Sequence, residues 1–380
     1  MRIYLDHNAT APLRPEVRAA LVEFLGPPAN PSSAHREGAR ARAALETARA
    51  EVAALIGAAP AEIVFTSGAT EANNLALRGA LAADPAAGLV TSAVEHASVL
   101  DTARALAAEG RTLAIVPVDG EGRVAAPDVV AAVAPGTRLV TLGLANGEVG
   151  AVAPVAEVAA ALRGRHTLIH TDAAQAAGRL LLDVRALGVD LLSLSAHKLG
   201  GPTGVGALWV RRGLRLRPEL TGGPQERQHR AGTENVAGIV GFGVAARLAR
   251  SELSDAAARM HALVDRLWTG LRARLPDVVR NGPVTGPRLP NTLNLSVPGC
   301  TGESLMVLLD LAGIAVSVGS ACAAGAAEPS HVLRAMGRDA EAARGGLRVS
   351  LGPATSAADV ERVLDVLPGL VAQVRGGAAA

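Results

Sequence analysis

Lysine is almost absent from this chain of 380 residues. Lys198 is its single lysine, and the other 36 of the 37 basic residues are arginine. A guanidinium stays protonated in proteins, whereas a desolvated lysine amine can lose its proton and attack a carbonyl carbon. Lys198 is therefore a candidate for covalent chemistry with a carbonyl compound, and a residue retained by chance is the alternative.

Cysteine, long apolar runs and an excess of either charge are lacking as well. Two cysteines are too few for a disulfide framework. A net charge of +2 without basic clusters argues against nucleic-acid and membrane-surface binding. No apolar run reaches the roughly 18 residues that span a bilayer, and the N-terminus lacks a signal-peptide pattern. We therefore expect a globular, cytoplasmic protein.

The order of predicted strands and helices indicates an α/β fold. Between about residues 60 and 215, short aliphatic runs alternate with alanine-rich helical stretches, which predicts a mainly parallel central sheet. A different pattern follows, with a helix from 256 to 275, a Pro/Gly-rich break and shorter strands. We predict a large α/β domain over residues 13–255 and a smaller α+β domain made of residues 1–12 and 256–380.

Polar residues follow one predicted strand after another: Thr70, His96, Asn146, Asp172 and Lys198. The carboxyl ends of the strands form the ligand crevice of an open α/β sheet, so these residues should meet at one cleft. Asp172 and Lys198 are one strand-helix-strand unit apart. Such a pair suits pyridoxal phosphate, because lysine binds its aldehyde while the carboxylate keeps the ring nitrogen protonated. A salt bridge is the alternative.

The segment Ser67-Gly-Ala-Thr-Glu71 follows a predicted strand and begins a helix. Free amides at the positive end of a helix suit a phosphate group. The same residues occur at ordinary helix N-termini, so this segment alone does not identify a phosphate site. It indicates one only together with the other polar residues at the predicted cleft.

Three further residues stand out by their surroundings. Cys322 lies among small residues that cannot fix it to a core, which predicts a mobile nucleophile. Cys300 precedes a predicted helix and should be inert packing. Arg348 is the only charge in a predicted strand, so it needs either a substrate carboxylate or a structural Asp or Glu partner.

A series of motifs extends this interpretation over nearly the whole chain. They are Tyr4-Leu-Asp-His-Asn-Ala-Thr10, Ala29-Asn-Pro-Ser-Ser-Ala-His35, Ser67-Gly-Ala-Thr-Glu71, Glu95-His96, Asn146-Gly-Glu-Val-Gly150, His170-Thr-Asp-Ala-Ala-Gln175, Ser195-Ala-His-Lys198, Arg230-Ala-Gly-Thr233, Gly319-Ser-Ala-Cys322 and Leu347-Arg-Val-Ser-Leu-Gly352. In this order they resemble the pyridoxal-phosphate-dependent cysteine desulfurases of the NifS/IscS type. Members of that family have the aspartate-aminotransferase fold, also called PLP fold type I.

The resemblance implies a cofactor site for pyridoxal 5′-phosphate and no metal. Lys198 would bind the aldehyde, Asp172 would pair with the pyridine nitrogen, and His96 would stack on the ring and take part in proton transfer. Gln175 would reach the ring hydroxyl. The residues implied to hold the phosphate are Ala69, Thr70, Ser195 and His197, joined by Thr233 from the other subunit of a homodimer.

The resemblance also implies the reaction. Arg348, helped by Asn146, would bind the carboxylate of L-cysteine. Cys322 would attack the sulfur, leaving L-alanine and an enzyme persulfide that is passed to a sulfur-acceptor protein. The acceptor pathway stays open between iron-sulfur cluster biogenesis, tRNA or DNA thiolation and cofactor synthesis.

The chain departs from the family pattern at Gly147, where a second asparagine is usual, and at Ala323 and Ala324, where hydroxyl residues are common. Its tail is also short. An aminotransferase or a selenocysteine lyase on the same fold explains Lys198 and Asp172 without a role for Cys322. A cofactor-free sulfur carrier explains Cys322 but does not explain the polar residues at the strand ends.

Overall fold

The computed structural model describes residues 2–28, 30–319 and 329–377. Its strands are β1 Ile3–Tyr4, β2 Ile63–Thr66, β3 Gly88–Ser92, β4 Leu113–Val116, β5 Thr137–Gly143, β6 Leu168–Asp172, β7 Leu191–Ser195, β8 Gly206–Val210, β9 Val279–Asn281, β10 Thr292–Ser296, β11 Ile314–Ala315 and β12 Gly346–Ser350. Its helices are α1 Pro15–Val22, α2 Arg36–Leu55, α3 Ala69–Leu81, α4 Ala97–Ala108, α5 Ala126–Ala131, α6 Val155–Ala161, α7 Val184–Leu187, α8 Val236–Arg274, α9 Gly302–Leu311, α10 His331–Ala335, α11 Ala340–Arg344 and α12 Ala357–Gly377. Across these described ranges, no helix is long and apolar enough to cross a bilayer.

Seven strands form the large central sheet, in the order β2-β8-β7-β6-β5-β3-β4. Strand β8 runs antiparallel to both of its neighbours, and the other pairings are parallel. The predicted mainly parallel sheet is therefore confirmed. Parallel strands need crossover connections, so helices cover both faces of the sheet.

Alternate residues of these strands enter two different cores. Leu191 packs on one face and Leu192 on the other, and Leu208 and Trp209 repeat this alternation on β8. Burial of a leucine side chain contributes about 1.5–3 kcal/mol, so these apolar side chains stabilise both faces. Buried polar residues of the strands, such as His170, are hydrogen-bonded within the sheet. The residues that line the cavity lie at the strand ends.

A second group of strands has its own core. Strands β12, β10 and β9 form an antiparallel sheet, and β1 pairs in parallel with β11. Leu293 and Leu295 of β10 pack with Leu347 and Val349 of β12 in this core. Cys300 also packs there, and burial raises the pKa of its thiol, which agrees with inert packing.

Helix α8 connects the two cores. It begins at Val236, so the prediction of a helix that begins at 256 is wrong by a wide margin. The first half is rich in glycine, which weakens the helical signal. Glycine is required because α2 packs directly on this helix: a methyl group on Gly243 would lie 2.6 Å from Ala48 Cα. The predicted domain boundary at 255 falls inside α8, and the two-domain division stays a prediction.

A buried ion pair holds the loop between β8 and α8 on the large sheet. Arg49 and Glu226 are 3% and 5% exposed and form two hydrogen bonds of 2.8 and 2.7 Å. Glu226 also accepts a bond from the Phe65 amide. The backbone of Glu226, Arg227 and Gln228 has φ of 45°, 54° and 66°. Left-handed residues other than glycine cost free energy, so the ion pair stabilises a strained turn.

We expect Glu226→Ala to lower the free energy of unfolding by about 3–5 kcal/mol, because it leaves the Arg49 guanidinium buried without a carboxylate. Glu46→Ala is the matched control: Glu46 also contacts Arg49, but its side chain is 52% exposed. That change should cost less than about 1 kcal/mol. Denaturant unfolding of the two variants measures both values, and equal losses would contradict this assignment.

Candidate functional site

A cavity of about 420 Å³ opens at the carboxyl ends of the large sheet. The structure brings ten of the predicted site residues to its wall: Ala69, Thr70, His96, Asn146, Asp172, Gln175, Ser195, His197, Lys198 and Arg348. Thr233 does not line this cavity and lies exposed on the loop before α8. Cys322 and its predicted mobility fall outside the described residues. No group of three or more His, Cys, Asp or Glu within the described ranges could hold a metal ion.

Lys198 follows β7 in a short 3-10 turn, and its amine is held by the N-terminal segment. Nζ donates to the backbone oxygens of Asn8 and Ala9 at 2.6 and 2.9 Å. Sequence reasoning did not assign this role to Asn8 and Ala9. Backbone carbonyls leave no side-chain signal, so only the approach of residues 6–10 to the sheet reveals it.

Asp172, the last residue of β6, points one carboxylate oxygen at each of two donors. Oδ2 accepts from Asn73 Nδ2 at 2.7 Å, and Oδ1 accepts from the Ala174 amide at 2.9 Å. Asn73 is fully buried on α3 and also donates to Ser98 Oγ. These bonds fix the direction of the carboxylate at the cavity. A buried asparagine on an otherwise apolar helix face is the signal that could have identified Asn73.

The N-terminus of α3 forms one end of the cavity. Gly68 is the N-cap and provides no side chain to bond the first helical amides. These amides and the positive end of a 13-residue helix favour an anion. Burial alone would raise the pKa of Glu71, but hydrogen bonds from Arg230 and Ser67 outweigh it and lower the pKa. Glu71 therefore stays ionised and holds the Arg230 loop at this end.

His197 lies near the same end and is uncharged at neutral pH. Burial, followed by the neighbouring charges of Lys198 and Arg179, lowers its pKa to about 4. Its Nδ1 lies 3.2 Å from Thr10 Oγ1. A neutral ring here limits the positive charge beside Lys198.

His96 caps the N-terminus of α4 with its ring. The Ser98 amide donates to His96 Nδ1 at 3.1 Å. Because a backbone amide can only donate, Nδ1 is the acceptor and the neutral ring carries its proton on Nε2. The ring therefore offers Nε2–H as a hydrogen-bond donor on its other side.

Arg348 lies in the middle of β12 and is 2% exposed. It donates to Asp6 Oδ1 at 2.7 Å and to the Gly147 oxygen at 3.3 Å, so the structural ion pair that the sequence left open is present. Arg348 lines the cavity as well. The side chain of Asn146 donates to the Val94 oxygen and shapes the turn after β5.

The segment that carries Cys322 begins and ends beside the cavity. Ser330 Oγ donates to Glu148 Oε2 at 2.6 Å, and a methyl group on Gly319 would lie 3.7 Å from the same oxygen. Glu148 lines the cavity wall. His331, the next residue, also lines the cavity and donates from Nε2 to the Glu95 oxygen at 3.0 Å. Both residues 319 and 330 therefore lie at Glu148.

These features define a class of enzyme. Residues 3–363 match the family model described as Aminotransferase class-V, and the chain belongs to that family. It is 48% identical to a cysteine desulfurase of Cereibacter sphaeroides over 98% of this chain and 97% of the relative.

Solved structures give the same result. A NifS-like protein superposes with a TM-score of 0.91 at 36% identity, covering 98% of this chain and 100% of that one. The structure of SspA in complex with cysteine has a TM-score of 0.83 at 33% identity, covering 94% and 100%. Within the class V aminotransferase family the chain is a cysteine desulfurase, and it has the predicted PLP fold type I.

Glu95 is a buried carboxyl group in the cavity wall. It accepts from Ser92 Oγ at 2.5 Å and from the Gly143 amide at 2.7 Å, which joins the ends of β3 and β5. Burial raises its pKa to about 7, and the charge of Asp172 adds to this rise. The folded state therefore keeps a proton that the unfolded state releases near pH 4.5.

The sign of the pH dependence follows. The stabilisation is complete below about pH 4.5 and is lost as the pH rises through about 7. Relative to Glu95→Gln, the free energy of unfolding of the cofactor-free protein should fall by up to about 3 kcal/mol over this interval. Denaturant unfolding of both proteins at several pH values measures the difference between their free energies of unfolding. Buried histidines contribute equally to both proteins, so their opposite pH dependence cancels in this difference. Parallel pH profiles would contradict the assignment.

Proposed function

We propose that the cavity binds pyridoxal 5′-phosphate and that this enzyme converts L-cysteine to L-alanine, leaving the sulfur as a persulfide on Cys322. One observation carries the proposal: the single lysine of the chain, Lys198, lines the same cavity as Asp172 and the uncapped N-terminus of α3. A cofactor-free sulfur carrier needs none of these three features.

The donor set fits the cofactor at each of its functional groups. Lys198 would hold the aldehyde, Asp172 would hold the ring nitrogen, and His96 would stack on the ring. The phosphate would lie against Ala69 and Thr70 with Ser195 and His197. Gln175 would donate to the ring hydroxyl. When bound, the cofactor supplies an electron sink for the carbanion formed at the substrate α-carbon.

The residues of this chain would then bind the substrate and move protons. Arg348 presents a guanidinium to the substrate carboxylate from a rigid strand, and Asn146 supports the turn beside it. Lys198 Nζ would remove and return the proton at the substrate α-carbon. The Ser98 amide occupies His96 Nδ1, so His96 would act as a donor from Nε2.

Sulfur transfer is assigned to Cys322. Its thiolate attacks the sulfur of the substrate; the carbon-sulfur bond breaks, a sulfur-sulfur bond forms, and the substrate carbon takes up a proton. The reaction therefore balances as L-cysteine plus thiol giving L-alanine plus persulfide. The position of residues 319 and 330 beside Glu148 supports this assignment.

The proposed partners are L-cysteine, a second copy of this chain and a sulfur-acceptor protein. The solved SspA structure with cysteine supports the substrate. In the homodimer, Thr233 would reach the phosphate of the other subunit, which agrees with its exposure. Arg230, three residues earlier, is bonded to Glu71 at the phosphate end of its own cavity.

Replacement of Cys322 by serine should separate cofactor binding from sulfur transfer. We expect Cys322→Ser to keep the visible absorbance of the cofactor-loaded protein. In the presence of a dithiol reductant, which frees the persulfide sulfur as sulfide, the variant should lose sulfide release from L-cysteine, because a hydroxyl does not accept the sulfur. Cys300→Ser is the matched control and should retain turnover. Undiminished sulfide release by Cys322→Ser would reject Cys322 as the nucleophile.

Replacement of Lys198 by arginine tests the cofactor itself. The guanidinium keeps the positive charge but cannot bond to the aldehyde carbon. Lys198→Arg should therefore lose the visible absorbance and the covalent label that borohydride reduction leaves on the wild type. A colourless wild-type protein after incubation with pyridoxal 5′-phosphate would overturn the proposed function.

A further inference from the structure

Arg179 is a buried guanidinium that the proposed mechanism does not use. It is 6% exposed and lies in the turn that follows β6. Within the described residues no carboxylate forms a salt bridge with it. Its hydrogen bonds go to oxygens instead: the Gln175 side chain at 2.8 Å, the Gln175 backbone at 2.8 Å and the His7 backbone at 3.2 Å.

These bonds determine which way the Gln175 amide faces. A guanidinium has donors only, so Gln175 Oε1 must be the atom turned towards Arg179. The amide nitrogen then points the opposite way, where one hydrogen bonds to the Asn8 oxygen at 3.0 Å. The second hydrogen of Nε2 remains for the cavity that Gln175 lines.

Gly147 provides the space for this orientation. A methyl group on Gly147 would lie 2.6 Å from Gln175 Nε2 and 2.8 Å from Cδ. The family pattern usually has an asparagine at this position, and the glycine of this chain leaves the space that the Gln175 amide occupies. Arg179 therefore fixes the direction of the amide, and Gly147 leaves room for it.

Burying an uncompensated charge is expensive. Arg179 itself does not line the cavity, but the Gln175 amide that it bonds does, so its charge would favour an anionic group beyond that amide. Two nearby groups carry little charge at neutral pH, because the pKa values of His7 and His197 are lowered to about 4 by burial. Arg348 is offset by Asp6. Asp172 is bonded to Asn73, and Lys198 to backbone oxygens.

We propose that Arg179 is a positioning residue for the cofactor: it turns the Gln175 amide hydrogen towards the ring hydroxyl oxygen and favours the anionic form of that oxygen. This inference rests on the proposed function. A positive charge and a fixed donor both oppose protonation of the coloured cofactor-lysine adduct. Their loss should make the adduct easier to protonate.

The test is a pH titration of the visible absorbance of the cofactor-loaded protein. Arg179→Met should raise the midpoint by about one unit, since charge and orientation are both lost. Arg179→Lys keeps the charge and one donor, so its midpoint should stay closer to the wild type. Arg288→Met is the matched control: Arg288 is also largely buried, but it pairs with Asp265 and makes no bond to Gln175.

Two further variants leave Arg179 in place. Gln175→Glu keeps the size of the side chain but removes the donor and cancels the charge, so its midpoint should also rise. Gly147→Ala should act in the same direction through the contact with Nε2. If Arg179→Met fails to fold, the midpoint of Gln175→Glu still tests the inference.

Failure of this inference and failure of the proposed function give different results. Unchanged midpoints in Gln175→Glu and, where it folds, in Arg179→Met would overturn the inference and leave the proposed function standing. An equal shift in Arg179→Lys and Arg179→Met would also overturn it, because the lysine retains the charge. A wild type without a titratable visible band would overturn the proposed function together with this inference.

Discussion

The buried amide of Asn8 joins the two halves of the molecule at the cavity. Its backbone oxygen accepts from Lys198 and Gln175, at 2.6 and 3.0 Å. Its side chain donates to Thr292 and to the Gly147 oxygen, at 2.8 and 2.9 Å. Asn8 is 1% exposed, so each unmade bond would leave a buried polar group unsatisfied. The position of the lysine thus depends on the N-terminal segment as much as on its own strand.

Charge around the cavity follows one principle, that a buried ion keeps a partner or is neutralised. Arg348 is paired with Asp6, and Glu71 with Arg230. The raised pKa of Glu95 and the lowered pKa of His197 reduce the charge on two further groups. Arg179 differs from these because its described partners are neutral oxygens. Its charge lies behind the Gln175 amide, which lines the cavity.

Much of the fold could be predicted because its signals are local. Alternating aliphatic runs identified the strands of the parallel sheet, and the turn after each strand placed Thr70, His96 and Asp172 at one edge. Helix α8 was predicted too short, since its glycines serve contacts with α2 that are remote in sequence. The partners of Lys198 were missed for the same reason: Asn8 and Ala9 contribute backbone oxygens about 190 residues away.

The sequence by itself determined which chemistry is available: one lysine, an aspartate one strand away and a cysteine among small residues. These are properties of residue type and spacing, which need no coordinates. Only the tertiary structure decided the protonation and direction of the groups. Burial set the pKa of Glu95 and His197, Asp6 came to Arg348, and Arg179 turned the Gln175 amide. Electric fields and hydrogen-bond directions depend on which distant segments pack together, and such packing leaves no periodic pattern in the chain.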